Sequence, residues 1–185
     1  MFLNTLLNLG CKNVLAVFVY RLFIRLGLAE RLLPVGQEYS CKPFRKIQVS
    51  TTRQIDIQDP QKAIEVAEKI LAGHYRYFAY HTKEVTSPPD WFFNPFNGSS
   101  VSDVDLHWSK INDFNSGCKD IKVIWDLSRF SWAPDLAKAY KLTSDEQFLN
   151  GLNGWISSWI QHNPLNKGPN WKCGQEASIR MMNVL

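Results

Sequence analysis

Apolar positions recur at helical spacing along much of this chain. Near its start, Leu15, Phe18, Leu22 and Leu26 stand three or four residues apart with Arg21 and Arg25 among them, and Pro34-Val35-Gly36 closes the segment. That pattern predicts a long amphipathic helix. Such a stripe ordinarily means packing, while its mixture of apolar and basic residues also suits a membrane surface or a partner helix. Pro60 followed by Ala63, Val66, Ala67, Ile70 and Leu71 predicts a second helix, with proline in its first turn and Gly73 just past its end. Leu136, Ala139 and Tyr140 support another over 134–142. The strongest signal begins at Ser144, which with Gln147 reads as a capping box, and runs through Phe148, Leu152, Trp155, Ile156 and Trp159 to a stop at Asn163-Pro164. A further helix is expected near Trp171, after Lys167-Gly168-Pro169.

The intervening segments lack this period. Residues 39–57 read as a linker or short strand, with Val49-Ser50-Thr51-Thr52 favouring β structure. From His74 to Gly117 the chain is aromatic and punctuated by Pro88-Pro89-Asp90-Trp91, Asn94-Pro95 and Asn97-Gly98-Ser99-Ser100, which predicts a long loop of the functional kind. Asn97-Gly98-Ser99 is also a formal glycosylation sequon, read here as a turn. Helices joined by short turns without a sheet pattern give a mainly all-α fold class. The expected division is an N-terminal helix and linker over 1–58 and a helical domain over 59–185.

Composition narrows the functional classes. A chain of 185 residues, 45% hydrophobic, is long enough to bury one sizeable core. The net charge of +4, from 21 basic against 17 acidic residues, is too mild and too evenly spread to indicate nucleic acid and allows a modest preference for anionic partners. Seven Trp and eleven Phe exceed ordinary core needs, so some of these rings are candidates for stacking on sugars while most are expected in the core. Cys11, Cys41, Cys118 and Cys173 are far apart, with no CxxC pair and no His at ligand spacing. Free, mostly buried thiols follow, with no metal site and no cofactor expected. The apolar run from Val14 to Tyr20 is well short of the roughly 20 residues a spanning helix needs, so no transmembrane segment is expected. No basic residue precedes Lys12, hence no clear signal peptide; Leu9-Gly10-Cys11 is like a lipoprotein cleavage site, but Asn8 occupies a position where an aliphatic residue is usual.

Three segments in order carry a resemblance: His107-Trp108-Ser109-Lys110-Ile111, the run from Asp120 to Phe130 (DIKVIWDLSRF), and the run from Asn170 to Arg180 (NWKCGQEASIR). With Pro89-Asp90-Trp91 and Asn94-Pro95 ahead of them, they resemble the N-terminal part of heparinase II/III-like polysaccharide lyases over roughly residues 60–185. Asp126 stands where Glu is frequent in that family, and Ser144 replaces the usual Gly before Asp145. The resemblance implies an incomplete (α/α) toroid, followed in full-length members by a β-sandwich region, and eliminative cleavage of uronic-acid-containing polysaccharides. It also implies that the catalytic Asn, Tyr and His lie downstream of Leu185. The chain is therefore expected to be a fragment, inactive alone, from a bacterial cytoplasmic or periplasmic protein whose partners are an anionic polysaccharide and its own missing C-terminal region.

Residue chemistry adds candidates for substrate binding. Lys172, Glu176, Arg180 and Asn183 recur at helical intervals and share a face that would line a cavity. A uronate lyase must neutralise a carboxylate to acidify the neighbouring ring proton, which calls for cationic or amide donors. Arg180 could grip a carboxylate or sulfate with its planar fork, Glu176 fixing its rotamer and Asn170 and Trp171 lining the entry; the alternative is an ordinary Glu176–Arg180 surface pair. Arg129 could reach the groove or clamp a helix end, beside Trp125, which is expected in the core. His107, near Trp108 and Lys110, is a weaker sugar-contact candidate, more often structural in such a loop. Two rival functions stand beside the lyase. One is a toroid glycoside hydrolase, for which Asp90, Asp126 and Glu176 offer carboxylates; the other is a non-catalytic polysaccharide-binding or exopolysaccharide-assembly protein.

Overall fold

A computed structural model of the chain describes residues 10–36, 57–111 and 120–184. Two compact units divide between Val35 and Gly36. The expected strand at 49–52, most of the linker, and both Cys41 and Cys118 lie outside the described residues.

The first unit holds helix α1 (Cys11–Arg25) and the short helix α2 (Leu28–Leu32). Gly27 separates them with φ of 68°, a left-handed conformation that glycine adopts without steric cost. No residue of α1 is buried, so the stripe of Leu15, Phe18, Leu22 and Leu26 lies exposed.

The second unit contains α3 (Pro60–Leu71), a hairpin of β1 (His74–Tyr77) and β2 (His81–Glu84), a smaller hairpin of β3 (Phe93–Asn94) and β4 (Ser99–Ser100), then α4 (Ile121–Ser128), α5 (Ala133–Thr143), α6 (Glu146–His162) and α7 (Gly174–Val184). It is mainly α-helical, as the periodicity requires. Proline at the start of α3 and Asp59, whose carboxylate accepts from the Lys62 amide at 3.0 Å, fix that helix where the sequence places it. Its stop is equally local: Gly73 has φ of 84°, and a Cβ there would sit 2.4 Å from the Val85 carbonyl oxygen.

The start of α6 corrects the expected capping box. Asp145 is the N-cap, accepting from the Gln147 amide at 2.9 Å, and the Gln147 side chain donates back to Asp145 at 2.8 Å. Ser144 instead ends α5 in a left-handed conformation, φ 57°. The carboxylate one residue further on outcompetes the hydroxyl because it is the stronger acceptor at a positive helix terminus.

The segment from His74 is not all loop. β1 and β2 pair antiparallel, Tyr75 opposite Lys83 and Tyr77 opposite His81, with Tyr75 and Tyr77 turned into the core. Strands of four residues with one apolar face carry too little alternation to stand out from aromatic loop sequence. Asn97-Gly98 turns the second hairpin, as expected, with Gly98 at φ 69° and the Asn97 carboxamide accepting from Ser99.

The core is built on tryptophan. Trp91, Trp132, Trp155 and Trp159 are buried with Phe130 and Phe148; Trp132 and Trp155 meet edge to face at 4.9 Å, and Phe130 and Trp159 at 5.1 Å. Buried indoles need partners for their N–H groups, and serines supply them. Trp91 donates to Ser158, Trp159 to Ser128 and Trp155 to Ser87. Trp108, Trp125 and Trp171 are the three tryptophans that stay partly open. Trp125, placed in the core by the sequence, is only partly buried and donates to the Pro169 carbonyl. Cys11 is exposed and Cys173 half-buried, against the expectation of buried thiols.

Candidate functional site

Helix α4 ends at Ser128, so Arg129 leaves the helix with its guanidinium free to reach sideways. Two carboxylates meet it. Glu176, in the first turn of α7, accepts from Nε and Nη2, both at 2.7 Å, and Asp126 accepts from Nη1 at 3.2 Å. The Glu176 pair is a bidentate fork, the strongest arrangement open to Arg and carboxylate. Hydrogen bonding from Glu176, opposed by partial burial and aided by the charges of Glu176 and Asp126, holds the Arg129 guanidinium above its usual range. Asn183, further along α7, donates to the Arg129 carbonyl at 2.8 Å and so clamps the end of α4.

Asp126 is committed from several sides. Its Oδ2 accepts from the Phe78 amide at 3.0 Å and from the Tyr75 hydroxyl at 3.3 Å, which also lies 2.8 Å from Ser131. The Phe78 contact explains an unusual turn. Phe78 and Ala79, joining β1 to β2, both have positive φ, 50° and 65°, without the glycine or asparagine such a turn favours. A carboxylate accepting from the turn amide offsets that strain.

Arg180 occupies a different environment. It is 4% exposed, as is Glu176, and Asn170 is fully buried. The Arg180 guanidinium lies over Trp159 at 4.8 Å and Trp171 at 5.4 Å, and Nη2 donates to the Asn170 carbonyl at 2.7 Å. Burial lowers its pKa to about 10, with Glu176 opposing the shift, so it remains a cation at neutral pH. Asn170 donates to Asn163, and Trp171 to the Asn163 carbonyl, locking the turn before α7 onto the end of α6. Arg180 Nη1 and Asn170 Oδ1 are buried with no partner. Each such atom costs about 1–3 kcal/mol, a burden that well-packed helices otherwise avoid.

Two readings of the last helix change accordingly. The face bearing Glu176 and Arg180 is its buried face, packed on Arg129, Asn170 and two indoles, whereas Met181 and Met182 are exposed. Lys172 precedes the helix and donates to the Ile111 carbonyl. Glu176 pairs with Arg129 and not with the Arg180 guanidinium, because a fork across two helices satisfies both its oxygens. His107 caps the short turn Trp108–Lys110, with Nδ1 2.7 Å from Ser109 Oγ, and does not share the network around Arg129.

Arg129, with its side chain 30% exposed against 10% for Asp126, is the more open of the two at the groove. It lines a pocket of about 820 Å³ together with residues of α3, the β1–β2 hairpin, α5 and α7. Charged walls come from Lys62, Lys69, Arg76 and Arg129 against Glu65, Asp126 and Asp135, with His74 beside them and Ile70, Phe78, Trp132 and Ile179 as apolar surface. Cations outnumber carboxylates, and Asp135 is further offset by Lys138 at 3.4 Å. The second hydrogens on Nη1 and Nη2 of Arg129 remain uncommitted, held in fixed directions by the two carboxylates behind them. The arrangement can bind an anion with a flat or ring-like body. The pocket itself could not be read from sequence, since Lys62 and Lys69 of α3 and Arg76 of β1 belong to no motif and are brought beside Arg129 only by the fold.

No group of His, Cys, Asp and Glu that could hold a metal ion occurs among the described residues, and no helix there is long and apolar enough to cross a membrane. Residues 41–184 match the family described as heparinase II/III N-terminus, and the chain belongs to that family. It is thus a polysaccharide-lyase relative by family, matched in the N-terminal region. Neither the curated proteins nor the solved structures gave a match.

Proposed function

We propose that this chain is the N-terminal helical region of a lyase that cleaves a uronic-acid-containing polysaccharide by β-elimination, and that the pocket at Arg129 binds the anionic chain. The observation that carries the reading is the guanidinium of Arg129, aimed by Glu176 and Asp126 at the wall of a groove where Lys62, Lys69 and Arg76 add positive charge. In β-elimination the ring proton beside the carboxylate is removed, the glycosidic oxygen leaves and is protonated, and a carbon–carbon double bond remains in the ring. Donors fixed on the carboxylate lower the cost of the developing negative charge. Arg129 is assigned to holding the saccharide; no residue of this chain is assigned as acid or base.

A hydrolase reading needs two available carboxylates. Asp126 and Glu176 have their oxygens engaged by Arg129, the Phe78 amide and Tyr75, which favours the lyase. The test is incubation of the full-length protein with a panel of uronate polymers while following the ultraviolet absorbance of the conjugated unsaturated product. A rise with at least one polymer is expected. Binding without any rise would replace the lyase with a non-catalytic binding protein, and new reducing ends without the chromophore would replace it with a hydrolase.

A further inference from the structure

The first unit lies ahead of the family match, which begins at residue 41. Its surface is unlike the rest of the chain. Along α1 no residue is buried, and Leu15 and Phe18 are 62% and 63% exposed, with Leu22 and Leu26 continuing the stripe. Leu32 and Val35 extend the apolar surface past Gly27. A stripe of this size left open is an interaction surface and not ordinary surface noise.

Its charges identify what it meets. Between residues 10 and 36 the basic side chains Lys12, Arg21, Arg25 and Arg31 face one acidic residue, Glu30, and all four basic residues are exposed. On a helical projection Arg21 and Arg25 flank one edge of the Leu15, Phe18 and Leu22 stripe. Long basic side chains at that position can keep their charges in water while their stems cover apolar surface. At 15 residues α1 is roughly 22 Å long, shorter than the roughly 30 Å hydrocarbon core of a bilayer, so it would lie in the interface and not across it. A helix with exposed apolar side chains on most of its sides, Val17, Val19 and Tyr20 beyond the stripe, with two arginines and no acidic residue, complements an anionic headgroup layer over acyl chains. A second copy of this unit would present the same like charges.

We infer that α1 is an interfacial anchor that binds the surface of anionic phospholipid bilayers. The experiment is co-sedimentation of the full-length protein with vesicles of phosphatidylcholine alone and of phosphatidylcholine mixed with phosphatidylglycerol. Binding is expected to the mixed vesicles and to fall as salt is raised. Phe18→Asp with Leu22→Asp should abolish it. Arg21→Gln with Arg25→Gln should weaken it about fivefold per arginine on anionic vesicles only, and leave the thermal midpoint of the protein unchanged.

No binding to the mixed vesicles at low salt would overturn the inference. So would equal binding by the arginine variant and the wild type. A lowered thermal midpoint in the Phe18 and Leu22 variant, without vesicle binding by the wild type, would assign the stripe to packing within the protein. A mass that doubles with concentration and returns to the monomer in that variant, again without vesicle binding, would assign it to self-association.

Discussion

Replacing Glu176 with Gln tests the network at the point where the structure places most energy. The substitution preserves shape and removes a charge. Two bonds of 2.7 Å from the Arg129 guanidinium to a carboxylate become one to an uncharged amide oxygen, with the new amide N–H group set against a guanidinium that can only donate. Hydrogen bonds to charged groups contribute about 1.5–3 kcal/mol each, and stripping a fully buried pair of one partner costs about 3–5 kcal/mol. Arg129 recovers part of this, because its side chain is 30% exposed and keeps Asp126. The expected loss is therefore about 2 kcal/mol, roughly a thirtyfold change in the unfolding equilibrium. Urea unfolding followed by tryptophan fluorescence measures it, with Trp159 and Trp171 beside Arg180 as reporters. A double-mutant cycle with Arg129→Gln should return a coupling of about 1–2 kcal/mol. A loss below about 0.5 kcal/mol, or additive single variants, would show that the fork does not hold α7 to α4.

Other expected outcomes follow from single residues. Asp145→Ala should cost about 1 kcal/mol by removing the cap of α6, whereas Ser144→Gly, at a position with φ of 57°, should stabilise by about 0.5 kcal/mol; equal destabilisation in thermal melts would restore Ser144 as the cap. Gly73→Ala should lower the melting temperature sharply, since its Cβ would meet the Val85 carbonyl oxygen at 2.4 Å in a left-handed backbone. Stability should also fall as pH rises above 10, the ordinary pKa of tyrosine. Burial, with the Asp126 charge adding to it, holds the phenols of Tyr75 and Tyr77 above that value, so the unfolded chain loses these protons first and gains stability. Arg180, depressed by burial to about 10, works in the opposite direction in that window, one group against two. Tyr75→Phe should flatten the alkaline fall in unfolding midpoints, and an unchanged slope would remove Tyr75 from its cause.

Helices α3 and α6 were legible because they carry their own local signals: proline and Gly73 around α3, Asn163-Pro164 after α6 and the 3.6-residue period of its tryptophan face, whereas α4, of eight residues, is too short to show a period and stood out only within the family resemblance. The strands were not, since Tyr75 and Tyr77 read as aromatic loop until Lys83 and His81 are seen opposite them. At the site, sequence spacing put Glu176 and Arg180 on one face correctly and misjudged which way that face turns. A polar helix face ordinarily meets water. Here it meets Arg129 from another helix and the indoles of Trp159 and Trp171, partners 47, 21 and 9 positions away that spacing within one helix cannot reveal. Lys62 and Lys69 stand seven residues apart on α3 with no motif to mark them, and their meeting with Arg76 of β1 and with Arg129 is set by the fold.

The claim that the groove at Arg129 receives an anionic saccharide is tested most directly by equilibrium binding. The full-length protein and its Arg129→Gln and Lys69→Gln variants would be titrated with a uronate oligosaccharide and with a neutral one of equal length. Binding of the uronate form only is expected, weakened about tenfold or more in Arg129→Gln and less in Lys69→Gln, with each loss smaller at high salt. Equal affinity for the two oligosaccharides, or an Arg129→Gln variant that binds the uronate as the wild type does while remaining folded, would contradict it.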